Sequence, residues 1–188
     1  MYLLIIGIAL WSSVHLIPSL APGLKIKFTN TLGENGYKGS FATTIILSIV
    51  LMVFGWQAVE PEIVFILPDW IKWVTAGLMV IAIWLMTLTA ANTNVIRYLR
   101  HPQLSGMVVL SVAHCLVNGD NRSLVLFVSL GIWALIEIYA INRRQGAWRR
   151  PETVPLSAEI KPILLTVVVY SVLLFIHPYV FGVSVLGM

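Results

Sequence analysis

Ile96–Asp120 reads IRYLRHPQLSGMVVLSVAHCLVNGD, and the reading of this stretch decides the fold class. Arg97, Arg100 and His101 form a basic foot closed by Pro102. An apolar run follows from Leu104 to Val117, interrupted by His114 and Cys115. The polar turn Asn118-Gly119-Asp120 ends it. A charged foot, an apolar shaft and a polar tip describe a short helix crossing an apolar layer. Whether that layer is a protein core or a bilayer is answered by the rest of the chain.

The composition answers bilayer. Of 188 residues, 59% are hydrophobic and 11% charged. A soluble domain carries about 25% charged residues, so this chain has too few to coat a water-facing surface. The mean hydropathy of +0.90 agrees. The length suits one domain over residues 1–188. The net charge is +4, but the basic residues are not interleaved with aromatics in soluble segments. That gives no support to nucleic-acid binding. The single cysteine, Cys115, lies in an apolar run and offers neither an intramolecular disulfide nor a CxxC pair. Tyr2–Leu20 lacks the basic start of a secretory signal and reads as a retained span.

A membrane helix needs about 20 apolar residues. Six windows qualify to different degrees: Tyr2–Leu20, stopped by Pro18 and Pro22; Phe41–Ala58; Trp70–Ala91, begun by Pro68-Asp69; Leu104–Val117; Leu124–Ile141; and Ile163–Gly182, opened by Pro162. None alternates strictly, and lipid admits only helices or closed barrels. The expected fold is an all-α bundle of six transmembrane helices. The fourth window is short, so five spans with a re-entrant segment is the alternative.

Basic residues set orientation. Lys25, Lys27 and Lys38 precede the second span, Arg97 and Arg100 the fourth, and Arg143, Arg144, Arg149, Arg150 and Lys161 the sixth. The other two connections hold only Lys72 and Arg122. Ten against two, in strict alternation, places loops 21–40, 92–103 and 142–162 in the cytoplasm and both termini outside. Trp56, Trp70, Trp73 and Trp148 fall near span ends, as interfacial anchors do.

Ionisable groups inside a membrane are costly and mark functional sites. Here they are His15, His114, His177 and Glu137, with His101 at the cytoplasmic edge. His15 lies in the cytoplasmic half of its span, His114 near mid-membrane and His177 further out, where Pro178 disfavours regular helix. Two imidazoles on facing helices can bracket one flat metal-bearing ring. His15 with His114 is the first such pair and His114 with His177 the second. Axial histidine is a common haem ligand. A polar seam that joins spans is the plainer alternative for each. Ser111 and Asn118 share the His114 face, and Ser111 is a candidate to orient the ring. Thr166, Tyr170 and His177 form a stripe expected to face the bundle interior. Glu137 is expected to pair with Arg97, Arg100 or His101. Asn92–Asn94 would cap the third span. Arg100 is a candidate fork for a lipid headgroup or other anion. No nucleophile elbow, phosphate loop, HExxH or carboxylate pair is present.

Arg100-His101-Pro102, Gly106, His114 and Asn118-Gly119-Asp120 together resemble the signature of the NnrU family of bacterial membrane proteins. His15 in the first span and Leu32-Gly33-Glu34…Tyr37-Lys38 resemble it too, so the likeness covers nearly the whole chain. It implies a multi-pass protein of the bacterial inner membrane, linked to denitrification through the expression or maturation of nitrite and nitric oxide reductases. The family is similar to the plant 15-cis-zeta-carotene isomerase, which implies haem b and maps its ligand roles most readily onto His15 and His114. A more distant likeness of RHPxxxG to membrane methyltransferases lacks its second half here, since Glu137 stands alone. The alternatives are a cofactor-free assembly factor for respiratory enzymes and a small transporter or lipid-handling protein.

Overall fold

A computed structural model describes residues 1–90, 92–183 and 185. The expected end of the third span at Ala91 and the last residue, Met188, lie outside the described residues. Six α-helices follow in order: α1 Tyr2–Leu20, α2 Pro22–Gln57, α3 Ile71–Thr87, α4 Pro102–Val117, α5 Asn121–Gln145 and α6 Ile160–Phe181. Among the described residues there is no β-strand, only an isolated bridge between Ile63 and Asp120.

Tyr2–Leu20, Pro22–Gln57, Asn121–Gln145 and Leu156–Phe181 are long and apolar enough to cross a membrane. α3 and α4 are shorter. At about 1.5 Å per residue, α4 is roughly 24 Å long, against about 30 Å of hydrocarbon. α3 is lengthened by a 3-10 turn at Leu88–Ala90. The outer surface is oily: Leu164, Val167, Val168 and Phe175 on α6 are all more than half exposed. Side chains of that kind suit lipid, not water.

Helices pack in the spatial order α6, α3, α4, α5, α1, α2. α5 separates α1 from α4, and α3 separates α4 from α6. α1 and α2 form the closest pair, and glycine makes it possible. A Cβ on Gly7 would fall 2.8 Å from Met52 N, and one on Gly55 would fall onto the backbone of Leu3 and Leu4. Small residues are how helices approach closely where lipid removes the hydrophobic drive to associate. Leu4, Ile8, Met52 and Leu130 form the buried cluster at this crossing.

Hydrogen bonds sort the loops into two ends. At one end, Arg144 donates to the Pro18 carbonyl, Arg97 Nε to Pro151 O at 3.0 Å, and Asn94 Nδ2 to Val154 O at 2.8 Å. These join the ends of α1 and α5 and tie loop three to loop five. At the other end, Gly119 O accepts from Val64 N at 2.8 Å and Phe65 N at 3.1 Å, and Glu62 O accepts from Asn121 N. These join loops two and four. α4 therefore runs from one end of the bundle to the other.

Four expectations are corrected. Residues 22–40 are not a loop: α2 begins at Pro22, whose fixed φ and missing N–H suit a first turn. A kink at Gly33, with φ 73° and ψ 167°, interrupts α2. Glu34 and Lys38 then pair at 2.7 Å across one turn. Neither internal proline stops its helix: α1 runs past Pro18 to Leu20, and α6 past Pro178 to Phe181, where left-handed Gly182 ends it. Neighbouring turns hold the helix where the proline N–H is lost. Asn94 does not cap the third span; its side chain bridges loop three to loop five.

Gly55→Val is expected to lower stability by about 1–3 kcal/mol, because the new side chain meets backbone that cannot yield. Gly39→Ala, with open space around the new Cβ, should be neutral or stabilising by up to about 1 kcal/mol. Thermal unfolding of the purified protein in detergent reads both. Equal midpoints for the two variants would contradict the packing described here.

Candidate functional site

α1 carries Trp11, His15 and Ser19 four residues apart, so all three share one face. α5 presents Trp133 and Glu137 at the same spacing. The two faces meet. His15 lies 4.3 Å from the Trp11 ring and 5.0 Å from Trp133, with Phe41 of α2 at 5.4 Å. Trp11 and Trp133 touch edge to face at 5.6 Å. Below this aromatic box, Ser19 donates to Glu137 Oε1. Both residues are only 7% exposed. Glu137 Oε2 and the indole nitrogens of Trp11 and Trp133 are buried without a hydrogen-bond partner among the described residues. Glu137 is within electrostatic reach of His15. It does not pair with Arg97, Arg100 or His101, as the sequence suggested. α5 turns it toward Ser19 of α1, while Arg97 and Arg100 bond to Pro151, Gly146 and Gln145 around the end of α5 and His101 bonds to Asn142.

His114 occupies a second environment. Its ring stacks on Phe127 of α5 at 4.2 Å and 27°. Its Nδ1 lies 3.0 Å from Leu110 O. His177 is within electrostatic reach of His114. On α6, His177 Nδ1 lies 2.7 Å from Val183 O. His15 Nδ1 likewise lies 2.9 Å from Trp11 O. A carbonyl can only accept, so in all three rings Nδ1 carries the proton and Nε2 keeps its lone pair. That is the tautomer that ligates metal through Nε2.

α4 and α6, which carry His114 and His177, both pack against α3. His15 and His114 rest on α5 residues six apart, Trp133 and Phe127, about 9 Å along its axis. Ser111 does not orient His114; its hydroxyl lacks a hydrogen-bond partner and abuts Gly131 of α5. Thr166 faces α3 as expected, sharing a 3.0 Å hydrogen bond with Thr87. Among the described residues, no group of three or more His, Cys, Asp or Glu could hold a metal ion.

The remaining motif residues are structural in their contacts. His101 Nε2 lies 2.9 Å from Asn142 Oδ1, and Arg100 donates to Gly146 O at 2.9 Å and Gln145 Oε1 at 3.0 Å. This ties the foot of α4 to the end of α5. Pro102 opens α4, buried at its first position. Gly106 lets α4 cross α3, since a Cβ there would sit 2.7 Å from Ala82 O. Asn118 Nδ2 donates to His114 O at 3.0 Å. Gly119 takes the Phe65 backbone against its own, leaving no room for a side chain. Asp120 caps α5 by accepting from Ser123 N at 2.9 Å. Arg122, two residues on, stacks over Trp56 at 3.7 Å. The aromatic box and the Ser19–Glu137 bond are the features that sequence reasoning missed. The i, i+4 stripe Trp11-His15-Ser19 was the available signal.

Among the described residues, helices with apolar outer faces and half-buried imidazoles between them fit the class of integral membrane proteins. A family model for the NnrU protein matches residues 3–185. The chain belongs to the NnrU family. No curated protein and no solved structure matches it.

Ser19→Ala is expected to cost about 1–3 kcal/mol, because it removes the donor from a buried carboxylate. Adding Glu137→Leu should recover part of that loss, since an apolar side chain leaves nothing unpaired. Denaturation midpoints of the single and double variants decide this. A double variant weaker than the sum of the single changes would contradict it.

Proposed function

We propose that the chain is a six-span membrane protein in which His114 would hold the iron of a haem b. The orientation puts loops one, three and five in the cytoplasm and both termini outside. The sorting of loops into two ends and the alternation of basic residues support the span count. The observation that carries the cofactor reading is the state of the rings. His114 and His177 both commit Nδ1 to a backbone carbonyl, leave Nε2 free, and lie within electrostatic reach. That donor set fits haem iron, which asks for one or two neutral imidazoles.

His114 is the primary ligand in this reading and His177 the second. His15 is the alternative second ligand; it carries the same tautomer, but three aromatic rings surround it and Glu137 lies beside it. When bound, haem supplies an iron centre for redox sensing or isomerase-like chemistry. The chain's own part is to fix the imidazoles. The Leu110 carbonyl holds the His114 tautomer, Phe127 holds its ring plane, and the Val183 carbonyl holds His177. The family resemblance supports a role in expression or maturation of nitrite and nitric oxide reductases.

The second reading is a cofactor-free assembly factor for respiratory or denitrification enzymes. Loop two favours it. Ile63, Val64 and Ile66 are 65%, 61% and 83% exposed at the bundle end, and Gly119 pins the loop there.

The optical spectrum of protein purified after haem-replete expression tests the first reading. A Soret band is expected. His114→Ala should reduce haem retention more than about tenfold, and His101→Ala should leave it unchanged. His177→Ala should alter the band toward single-histidine ligation. The same change from His15→Ala instead would return His15 as second ligand. No band, with co-purification of a respiratory enzyme, would replace this reading with the second.

A further inference from the structure

Two open clefts meet at the loop-three and loop-five end, and Arg100 and Trp148 belong to both. The first, about 650 Å³, is polar, with Arg100, His101, Gln145 and Arg149 on its walls. The second, about 580 Å³, is largely apolar, with Leu88, Ile96, Pro102 and Pro151. Neither wall contains an aspartate or glutamate. Among the described residues, neither Arg100 nor Arg149 has a carboxylate within ion-pair distance.

Arg100 is held in place without being neutralised. Its two hydrogen bonds go to neutral oxygens, Gly146 O and Gln145 Oε1. A guanidinium has five N–H donors, so the remaining ones stay available to an anion. Trp148 stands between the two clefts, and the Arg150 guanidinium lies 5.8 Å from its ring. The first cleft sits beside the last turn of α5 and the second beside the first turn of α4, and in the membrane reading these helix ends mark the level at which the chain leaves the hydrocarbon. A tryptophan there lies at headgroup height.

We propose that this double cleft binds an anionic phospholipid. The phosphate sits between Arg100 and Arg149 in the polar half. Trp148 lies at the glycerol level. An acyl chain follows Leu88, Ile96 and Pro102 in the apolar half. The apolar half selects a lipid over a soluble phosphate, which would use only the first cleft. Guanidinium forks suit phosphate oxygens by geometry as well as charge. The site requires the membrane reading of the helices but not the haem.

Native mass spectrometry of the full chain in neutral detergent tests the proposal. Phosphatidylglycerol, phosphatidylcholine and inorganic phosphate are added in turn. Retention of phosphatidylglycerol about fivefold above phosphatidylcholine is expected, the size of one basic side chain against an anionic lipid. Inorganic phosphate should not displace it. Arg149→Gln, whose side chain makes no bond that holds the fold, should lose most of that preference, and so should Arg100→Gln. Lys27→Gln, on the same end but outside the clefts, should keep it. Equal retention of the two lipids would overturn the site. So would an equal loss in Lys27→Gln, which would mean diffuse attraction of anionic lipid. Displacement by inorganic phosphate would overturn the lipid assignment.

Discussion

A chain this poor in charge must hydrogen-bond its backbone to itself, because lipid offers no partner for an N–H or a carbonyl. That constraint shapes everything else. It makes each apolar run a helix, and it leaves only helix ends and loops with groups to satisfy. The loops answer by bonding to one another. Gly119 O collects two loop-two N–H groups, and Asn94 exchanges bonds with Val154. Family-motif residues cluster at these fastenings. Their contacts explain much of the motif without chemistry: Arg100 and His101 hold the end of α5, and Gly119 and Asp120 hold loop two and cap α5.

The polar atoms that remain inside are therefore the informative ones. Those around the intramembrane histidines form two groups along α5. One is His15, Ser19 and Glu137 between α1 and α5, enclosed by Trp11, Trp133 and Phe41. The other is His114 with Phe127, facing toward His177 on α6. In an apolar medium an unpaired polar atom is expensive, so buried groups without partners, such as Glu137 Oε2, mark places where the fold is not optimised for stability alone. The first group is packed among three aromatic rings. The second lies toward the edge helix α6.

The bundle's ends differ in kind. The end with loops one, three and five is basic and indented, with two clefts around Arg100 and Trp148. The opposite end is knotted tightly by Gly119, Asn121 and Arg122, and carries an exposed apolar loop. A charged, recessed face suits anionic headgroups. An oily, fixed loop suits another membrane surface.

The order of helices, the alternation of their ends and the list of intramembrane ionisable residues were legible in the sequence. Hydropathy and loop charge are properties of consecutive residues, and they need no knowledge of neighbours. The α2 segment before Gly33 was misread as a loop because its lysines mark a membrane boundary, and a boundary does not end a helix. The partners of His15, Glu137, Ser111 and Asn94 were not legible. Each depends on how a helix or loop is rotated toward its neighbours. In a soluble helix an apolar stripe reports that rotation. Here the lipid-facing side is as apolar as the packed side, so the pattern carries no phase. Only the close crossings at Gly7, Gly55 and Gly106, together with the bonds between loops, decided which faces meet.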